Sequence, residues 1–481
     1  MRRLLIIAIL FCPTTTLATS YFLSPTGNDA NNGTSAGTPW LSPNHAVNCG
    51  DVITASASTS YAQANFASGK WGTVSGCGTG SSGNVAWLKC TTFDACKITT
   101  SSNATAITVS ASNWGVQGWE VTATSGAVAG CFQARPPTTS TSIHHIIFAN
   151  DVANQCENGG FSSYNNGAAS IDYIVYVGDI AYNTAQTSSV CASGFNIYQP
   201  KASDTLSGTH MYVAGSFAWA NLNPNPCAGT APTDGEGLTF DTFDGSQGGG
   251  NDYAQQAVAY NNIFIGNGGR CYQTTNNASG SNHAPQLIEY VTCWGNETDT
   301  HQNPGGSVGE LRIVSGFNNT FSHNLVQTTA ATAYGQTLYA AYVATGNGTD
   351  TIATNWLYSA SGSNCGVQAP ANGFACGTNT TGTSPAFSSP SVPGAPSCGS
   401  SSSVPNCMTT LISNFTPTAS GSTAYGYQIP LGFSITDPLF PAWLCNVNLP
   451  SGLVTLGCGA PPTLGSSVGA GVSAAGKTSI Q

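Results

Sequence analysis

Five carboxylates crowd into residues 233–252, TDGEGLTFDTFDGSQGGGND, of a chain in which only 6% of residues are charged: Asp234, Glu236, Asp241, Asp244 and Asp252. Carboxylates at that density can do two kinds of chemistry. As hard oxygen ligands, Asp234, Glu236, Asp241 and Asp244 suit calcium. As paired acids they suit hydrolysis, one protonating a leaving oxygen while another acts as base or nucleophile. The cations are few enough to name. Arg2 and Arg3 precede an apolar run from Leu4 to Cys12, and a small-residue stretch with Ala18 follows, so residues 1–20 read as a secretory signal. Its removal leaves eight basic residues: Lys70, Lys89, Lys97, Arg135, Lys201, Arg270, Arg312 and Lys477.

The elements that must position these groups recur along the chain. Alternating β-branched or aromatic strands start at Asn113, His144, Asp172, His210, Gln255, Pro285, Phe317 and Asp350. A second series starts at Cys131, Gly160, Gly194, Gly237, Arg270 and Glu310. Both keep a period of about 30 residues, with no helical periodicity between them, which implies coils whose short strands pair in parallel with the coils above and below. A β-sandwich would repeat its strands every ~8–12 residues and a propeller blade would need ~40 residues and four strands, so the expected fold is all-β, a right-handed parallel β-helix. Asn at many strand ends fits left-handed corners and stacked side-chain ladders as well as ordinary turns.

Alternation along the second series turns Leu238 and Phe240 inward, leaving Thr239 and Asp241 outward. Leu311 and Ile313 likewise put Glu310 and Arg312 outward, with Arg270 at the equivalent strand start between them. Coils lie about 4.8 Å apart, so Asp241, Arg270, Glu310 and Arg312 are expected to share one patch. The purely structural alternative is that the acids cap turns while Arg270 and Arg312 pair with Asp241 and Glu310. Outward Tyr198 and Tyr272 are candidates for stacking on sugar rings. His144, His145, His210, His283, His301 and His323 have no metal-like spacing.

The segment after the signal, YFLSPTGNDANNGTSAGTPWLSPNHAVNCGDVI, carries Ser24, Pro25, Gly27, Asp29, Asn32, Gly33, Thr34, Pro39, Trp40, Gly50, Asp51 and Ile53. It resembles the opening of secreted β-helix proteins of the pectate-lyase-like superfamily, and the coil pattern extends the resemblance to about residue 360. The resemblance implies a carbohydrate-active protein. Lyases of the superfamily abstract a proton beside a uronate carboxylate with Lys or Arg, commonly with calcium, and its hydrolases use paired Asp or Glu. Carried onto this chain, Arg270 and Arg312 are the candidate bases or carboxylate binders, Asp241 a catalytic partner, Lys201 a further candidate base, and Tyr198, Tyr272 and Glu310 substrate-binding. The pattern also departs from the family: no Lys lies between Lys201 and Lys477, and the Asn-Thr-Asp, Asp-Asp and Gly-His-Gly motifs of polygalacturonase-type hydrolases are missing. β-Elimination of an acidic polysaccharide is the leading expectation, with glycoside hydrolysis next and a non-catalytic glycan-binding, adhesive or virion spike protein third.

Composition bounds the rest. A net charge of −10 argues against the basic face that nucleic acid requires, and no later run is long and apolar enough to span a membrane. The expected partner is therefore a polysaccharide and the expected location extracellular or periplasmic. Sixteen cysteines remain after the signal, an even number that reads as disulfides, with Cys131–Cys156 and Cys271–Cys293 expected across neighbouring coils. The pairs Cys90 and Cys96, Cys365 and Cys376, Cys398 and Cys407, and Cys445 and Cys458 lie close in sequence. The expected organisation is a signal at 1–20, an N-terminal cap and first coils at 21–112, the helix proper at 113–360, a C-terminal cap with disulfide-tied loops at 361–464, and a disordered tail at 465–481.

Overall fold

The computed structural model describes residues 18–393, 410–428 and 440–447, apart from 81–83, 125–126, 128, 166, 168–169, 187–189, 225–233, 245–252, 276–284, 300–307, 315–317, 331, 334–335, 345–349 and 368–374. The signal up to residue 17, Asp252, His283, His301 and the tail from 465 lie outside the described residues. Within them, strands of successive coils stack in parallel into three long sheets, and the chain is a right-handed parallel β-helix. Parallel pairing already begins where Ser20–Leu23 meets Val52–Ala55. Among the described residues no helix is long and apolar enough to cross a membrane.

From Ala86 to Val367 each coil holds three strands, where the sequence pattern implies two. The coil of Ile143–Ala149, Val152–Asn154 and Phe161–Tyr164 is followed by Ile171–Val177, Ile180–Tyr182 and Phe195–Tyr198. The segments read as single first strands bend at a one-residue corner: Gly118, Asn150, Gly178, Gly215, Asn261, Tyr290, His323 and Thr354 hold φ between 54° and 77°. Glycine and asparagine adopt that left-handed conformation at little cost. Tyr290 and His323 hold it while stacked on each other, ring centroids 5.0 Å apart. The residue after the corner then completes the backbone's pairing. Asp151 N–H donates to Asp179 Oδ1 at 2.9 Å, Ser216 N–H to Asn262 Oδ1 at 2.9 Å and Asn324 N–H to Asn355 Oδ1 at 2.9 Å, forming the side-chain ladder that satisfies buried amides at each corner.

The N-terminal motif is explained by packing. Trp40 stacks on Tyr21 at 4.4 Å and on His45 at 3.9 Å, while Asp29 accepts the amides of Leu41 and Ser42. A side chain at Gly27 would meet the Trp40 carbonyl at 2.0 Å, and Gly33 has φ +70°, so both positions require glycine.

Disulfides join Cys49–Cys77, Cys90–Cys96, Cys131–Cys156 and Cys271–Cys293, and Cys191, Cys365 and Cys445 are also disulfide-bonded. Cys227, Cys398, Cys407 and Cys458 lie outside the described residues. Reduction is expected to lower the melting temperature, since each native disulfide lost costs ~2–5 kcal/mol. Thiol titration of the folded protein checks the premise and should find few free thiols; most cysteines reacting without denaturant would refute it.

The C-terminal stretches run along the flank of the helix. Step by step they move back one coil at a time. Tyr425 packs on Trp356, Gly426 N–H donates to the His323 carbonyl, Tyr427 N–H to Thr292 Oγ1 at 2.9 Å and Gln428 N–H to Asn261 Oδ1 at 2.7 Å. Further on, Phe440 lies against Tyr212, and Trp443 against Tyr173 and His145. The expected cap over the last coil is thus, in the described residues, a strap along the side. Its cause is the apolar outer surface of two sheets. Ile180, Phe217, Trp219 and Ile263 are covered by Leu411, Phe415 and Tyr427, and Ile147, Val175, Tyr212 and Val258 by Phe440, Trp443 and Leu444. Water is excluded from both faces of those sheets.

Candidate functional site

The third sheet differs: its inner row is apolar and its outer rows are polar. Phe132, Phe161, Phe195, Leu238, Tyr272 and Leu311 form the inner row in register. One outward row reads Gln133, Ser162, Asn196, Thr239, Gln273, Arg312, and beside it runs Tyr164, Tyr198, Asp241, Thr275, Val314. A cleft of about 550 Å³ follows this face, lined among others by Gln133, Tyr164, Tyr198, Asp234, Asp241 and Arg312.

Two expected residues, Asp241 and Arg312, both line this cleft, from strands two coils apart. Burial, helped by the nearby Glu236 and Asp244 carboxylates, lifts Asp241 to about 7 against the pull of the Thr242 hydroxyl, which donates to Asp241 Oδ1 at 2.7 Å. Burial and the Arg270 guanidinium lower Arg312 to about 10, while its Nη1 donates to Gln273 Oε1 at 3.1 Å. Asp234 also lines the cleft, its carboxyl raised by burial and by Glu236 and Asp241. A carboxyl that keeps its proton near neutrality and a guanidinium that gives one up more readily than usual are tools for proton transfer.

Other expected residues are placed differently. Arg270 is buried rather than outward. It pairs with Glu236 at 3.1 Å and Glu297 at 3.2 Å, not with Asp241, because a guanidinium taken out of water needs carboxylates on its own side of the sheet. Glu236 is fully buried and also accepts the Ser193 hydroxyl at 2.9 Å. Glu297 escaped the sequence reading, since it sits in a loop outside both strand series. Glu310 is buried too, accepts the Asn296 amide at 3.0 Å and is pushed up to about 8 by burial, so it cannot touch a substrate. Tyr272 faces the core in register with Leu238 and Leu311, its hydroxyl donating to Gln286 Oε1 at 2.9 Å, and no sugar can reach it. The register was misread there because Arg270 stands two residues before the first inward position. Tyr198 does face outward, but its ring stacks on Tyr164 at 5.1 Å and 12°, so the cleft meets ring edges and hydroxyls instead of an open aromatic face. Lys201 pairs through its backbone with Ile171, the first residue of the Ile171–Val177 strand of the neighbouring sheet, and is not among the residues lining the cleft.

The calcium set does not assemble. Among the described residues, Asp234, Glu236, Asp241 and Asp244 do not bring three carboxylates around one point, and Glu236 is committed to Arg270. The ligand atoms that do converge, within 4.8 Å of one another, belong to Asp172, Asp204 and His210. Asp172 is already satisfied without an ion. It accepts from Tyr253 Oη at 2.6 Å, the Ser203 amide at 2.8 Å and the Ser203 hydroxyl at 3.0 Å, and pairs with His210 Nδ1 at 3.0 Å. Hydrogen bonds to His210, Tyr253 and Ser203 outweigh its burial and hold its carboxyl below the usual range.

No protein-family model matches the chain, and no curated protein matches it. Solved structures similar to it include pectate lyase Pel9A, at 16% identity over 86% of this chain and 89% of that one with a TM-score of 0.44. A rhamnogalacturonan lyase aligns at 13% identity over 67% of this chain and 84% of that one, TM-score 0.36. An alginate lyase from Paenibacillus aligns at 15% identity over 70% and 93%, TM-score 0.31.

Proposed function

We propose that this is an exported enzyme whose open sheet face binds an acidic polysaccharide, and that Arg312 and Asp241 cleave it by β-elimination. The observation that supports this reading most is that two sheets are sheathed by the strap while the third leaves a polar cleft with these two groups in it. Arg312, as neutral guanidine, takes the proton from the carbon beside the uronate carboxylate. The electron pair becomes a carbon–carbon double bond as the bond to the glycosidic oxygen breaks, and that oxygen takes a proton from water. Protonated Asp241 donates a hydrogen bond to the substrate carboxylate, where negative charge builds up. A hydrolytic reading rests on a separate observation, that Asp234 and Asp241 line the same cleft and that the Asp241 carboxylate helps burial to raise the Asp234 carboxyl.

Uronate polymers incubated with the protein distinguish the readings. β-Elimination yields an unsaturated end that absorbs in the ultraviolet; hydrolysis yields new reducing ends without it; binding with neither leaves a non-catalytic glycan-binding protein. The pH profile follows from the two groups. Activity requires neutral Arg312, lowered to about 10, and protonated Asp241, raised to about 7. The product of those two populations rises up to about pH 7, stays level, and falls above about pH 10. A rate that keeps climbing beyond pH 10, or an optimum below pH 5, would sink the assignment. Because the acidic cluster does not form a calcium set, a chelator is expected to leave the rate unchanged.

A further inference from the structure

The outward row that holds Asp241 also runs toward the N-terminal coils. Tyr198 is in register with Asp241, Tyr164 with Tyr198, and Arg135 follows directly on Ala134, whose register partner is Ser163, next to Tyr164. The guanidinium of Arg135 lies over the Tyr164 ring, 5.0 Å from its centroid. Tyr164 is 37% exposed, and Arg135 is exposed as well. The cleft extends to this coil, since Gln133 lines it and donates to Ser162 Oγ at 3.1 Å.

We propose that Arg135 is a specificity-determining residue that recognises an acidic group on a sugar unit remote from the reacting one. The proposal rests on the reading of this face as a polysaccharide site. Its chemistry is that of a planar cation held in place by a ring face. Stacking on Tyr164 fixes the guanidinium's plane while its N–H edge stays in water, and such an edge suits a carboxylate or sulfate bidentately. Three coil steps separate Arg135 from Asp241, about 14 Å at the spacing of neighbouring strands. A substrate must therefore be an oligomer to reach both. Arg270 cannot serve this purpose because its charge is taken up by Glu236 and Glu297. The Tyr164 and Tyr198 hydroxyls between the two ends offer neutral hydrogen bonds to the intervening units.

The length requirement gives the test. Uronate oligomers of increasing length are compared on wild type, Arg135→Ala and Arg135→Lys, by affinity electrophoresis and by kcat/KM. In Arg135→Ala, long oligomers should lose about tenfold in affinity, the equivalent of one well-made charged contact, while short ones that cannot span the distance stay unchanged. Arg135→Lys should restore only part, because a flexible ammonium cannot keep the stacked plane. Equal losses on short and long oligomers would mean a structural role, and no loss on long ones would overturn the proposal. Failure of wild type to bind any acidic oligomer would instead refute the polysaccharide reading, and since binding is read without turnover, the two failures are distinguishable. Melting curves of the variants exclude misfolding as the cause.

Discussion

In Asp241→Ala, which removes the donor to the substrate carboxylate, turnover of the polymer is expected to fall by ~10²–10³-fold while the protein still folds, the range that a positioned charge-stabilising group supplies. Asp241→Asn keeps the shape of the side chain, an oxygen for the Thr242 hydroxyl and an N–H donor for the substrate, so it should keep turnover and lose the dependence on the Asp241 proton. Its effect on stability has a definite sign. The folded carboxyl lies at about 7, above the ordinary value of 3.8. A raised folded value means that the contribution of Asp241 is fully present below the unfolded value and is lost as pH rises through the folded one. Asparagine carries no proton to lose, so Asp241→Asn should be as stable as wild type or more so above neutrality, and its melting temperature should vary less between pH 4 and pH 7, the window set by the two values. Arg312→Ala is expected to show a comparable loss of turnover. Full activity in both alanine variants, measured on protein with an unchanged melting curve, would remove the assignment of the catalytic pair.

Arg270→Ala is expected to do something different: to destabilise. Seen from the sequence, Arg270 belongs with Asp241 on an outer patch, where its loss would stop catalysis and spare the fold. In the structure its side chain is 3% exposed and stands between two carboxylates that are 0% exposed. Removing the cation leaves Glu236 and Glu297 buried without their counter-charge, at a cost of ~3–5 kcal/mol, a large share of the 5–15 kcal/mol that holds a typical domain together. Chemical denaturation should show the midpoint falling sharply. A variant that also carries Glu236→Gln and Glu297→Gln should recover much of the loss, because neutral amides need no buried cation. Should Arg270→Ala melt like wild type, the buried cluster is not what it is described to be.

These two residues show what was legible in the sequence. Strict alternation sets the side of Asp241, which ends its strand after the inward Phe240, and of Arg312, which lies between the inward Leu311 and Ile313, and both line the cleft. Arg270 stands two residues before its strand, Tyr272–Thr275, and Glu310 is the third residue of Val308–Val314. There alternation still names a side, but not what lies above it, and the loop bearing Glu297 fills that space. The coil period was readable because glycine and asparagine mark corners. The third strand was not, because a one-residue corner such as Asn150 or Gly178 leaves the apolar alternation nearly continuous on either side. The strap was hidden for another reason: its partners are outward residues such as Tyr212 and Trp219, which look like ordinary members of an apolar strand until a sheet's second face is known to need cover.

The strap also sets an order of events during synthesis. Coils pair only with their neighbours, so the rod can grow as the polypeptide emerges, each new turn templated by the last. Trp443 and Phe440 come late, yet they belong against Tyr173 and Tyr212, laid down far earlier. Until they arrive, the early turns are ribbons with greasy backs. A nascent or prematurely terminated chain is therefore the aggregation-prone species, and the closing of so long a loop is the slow step that turns a stack of coils into a finished molecule.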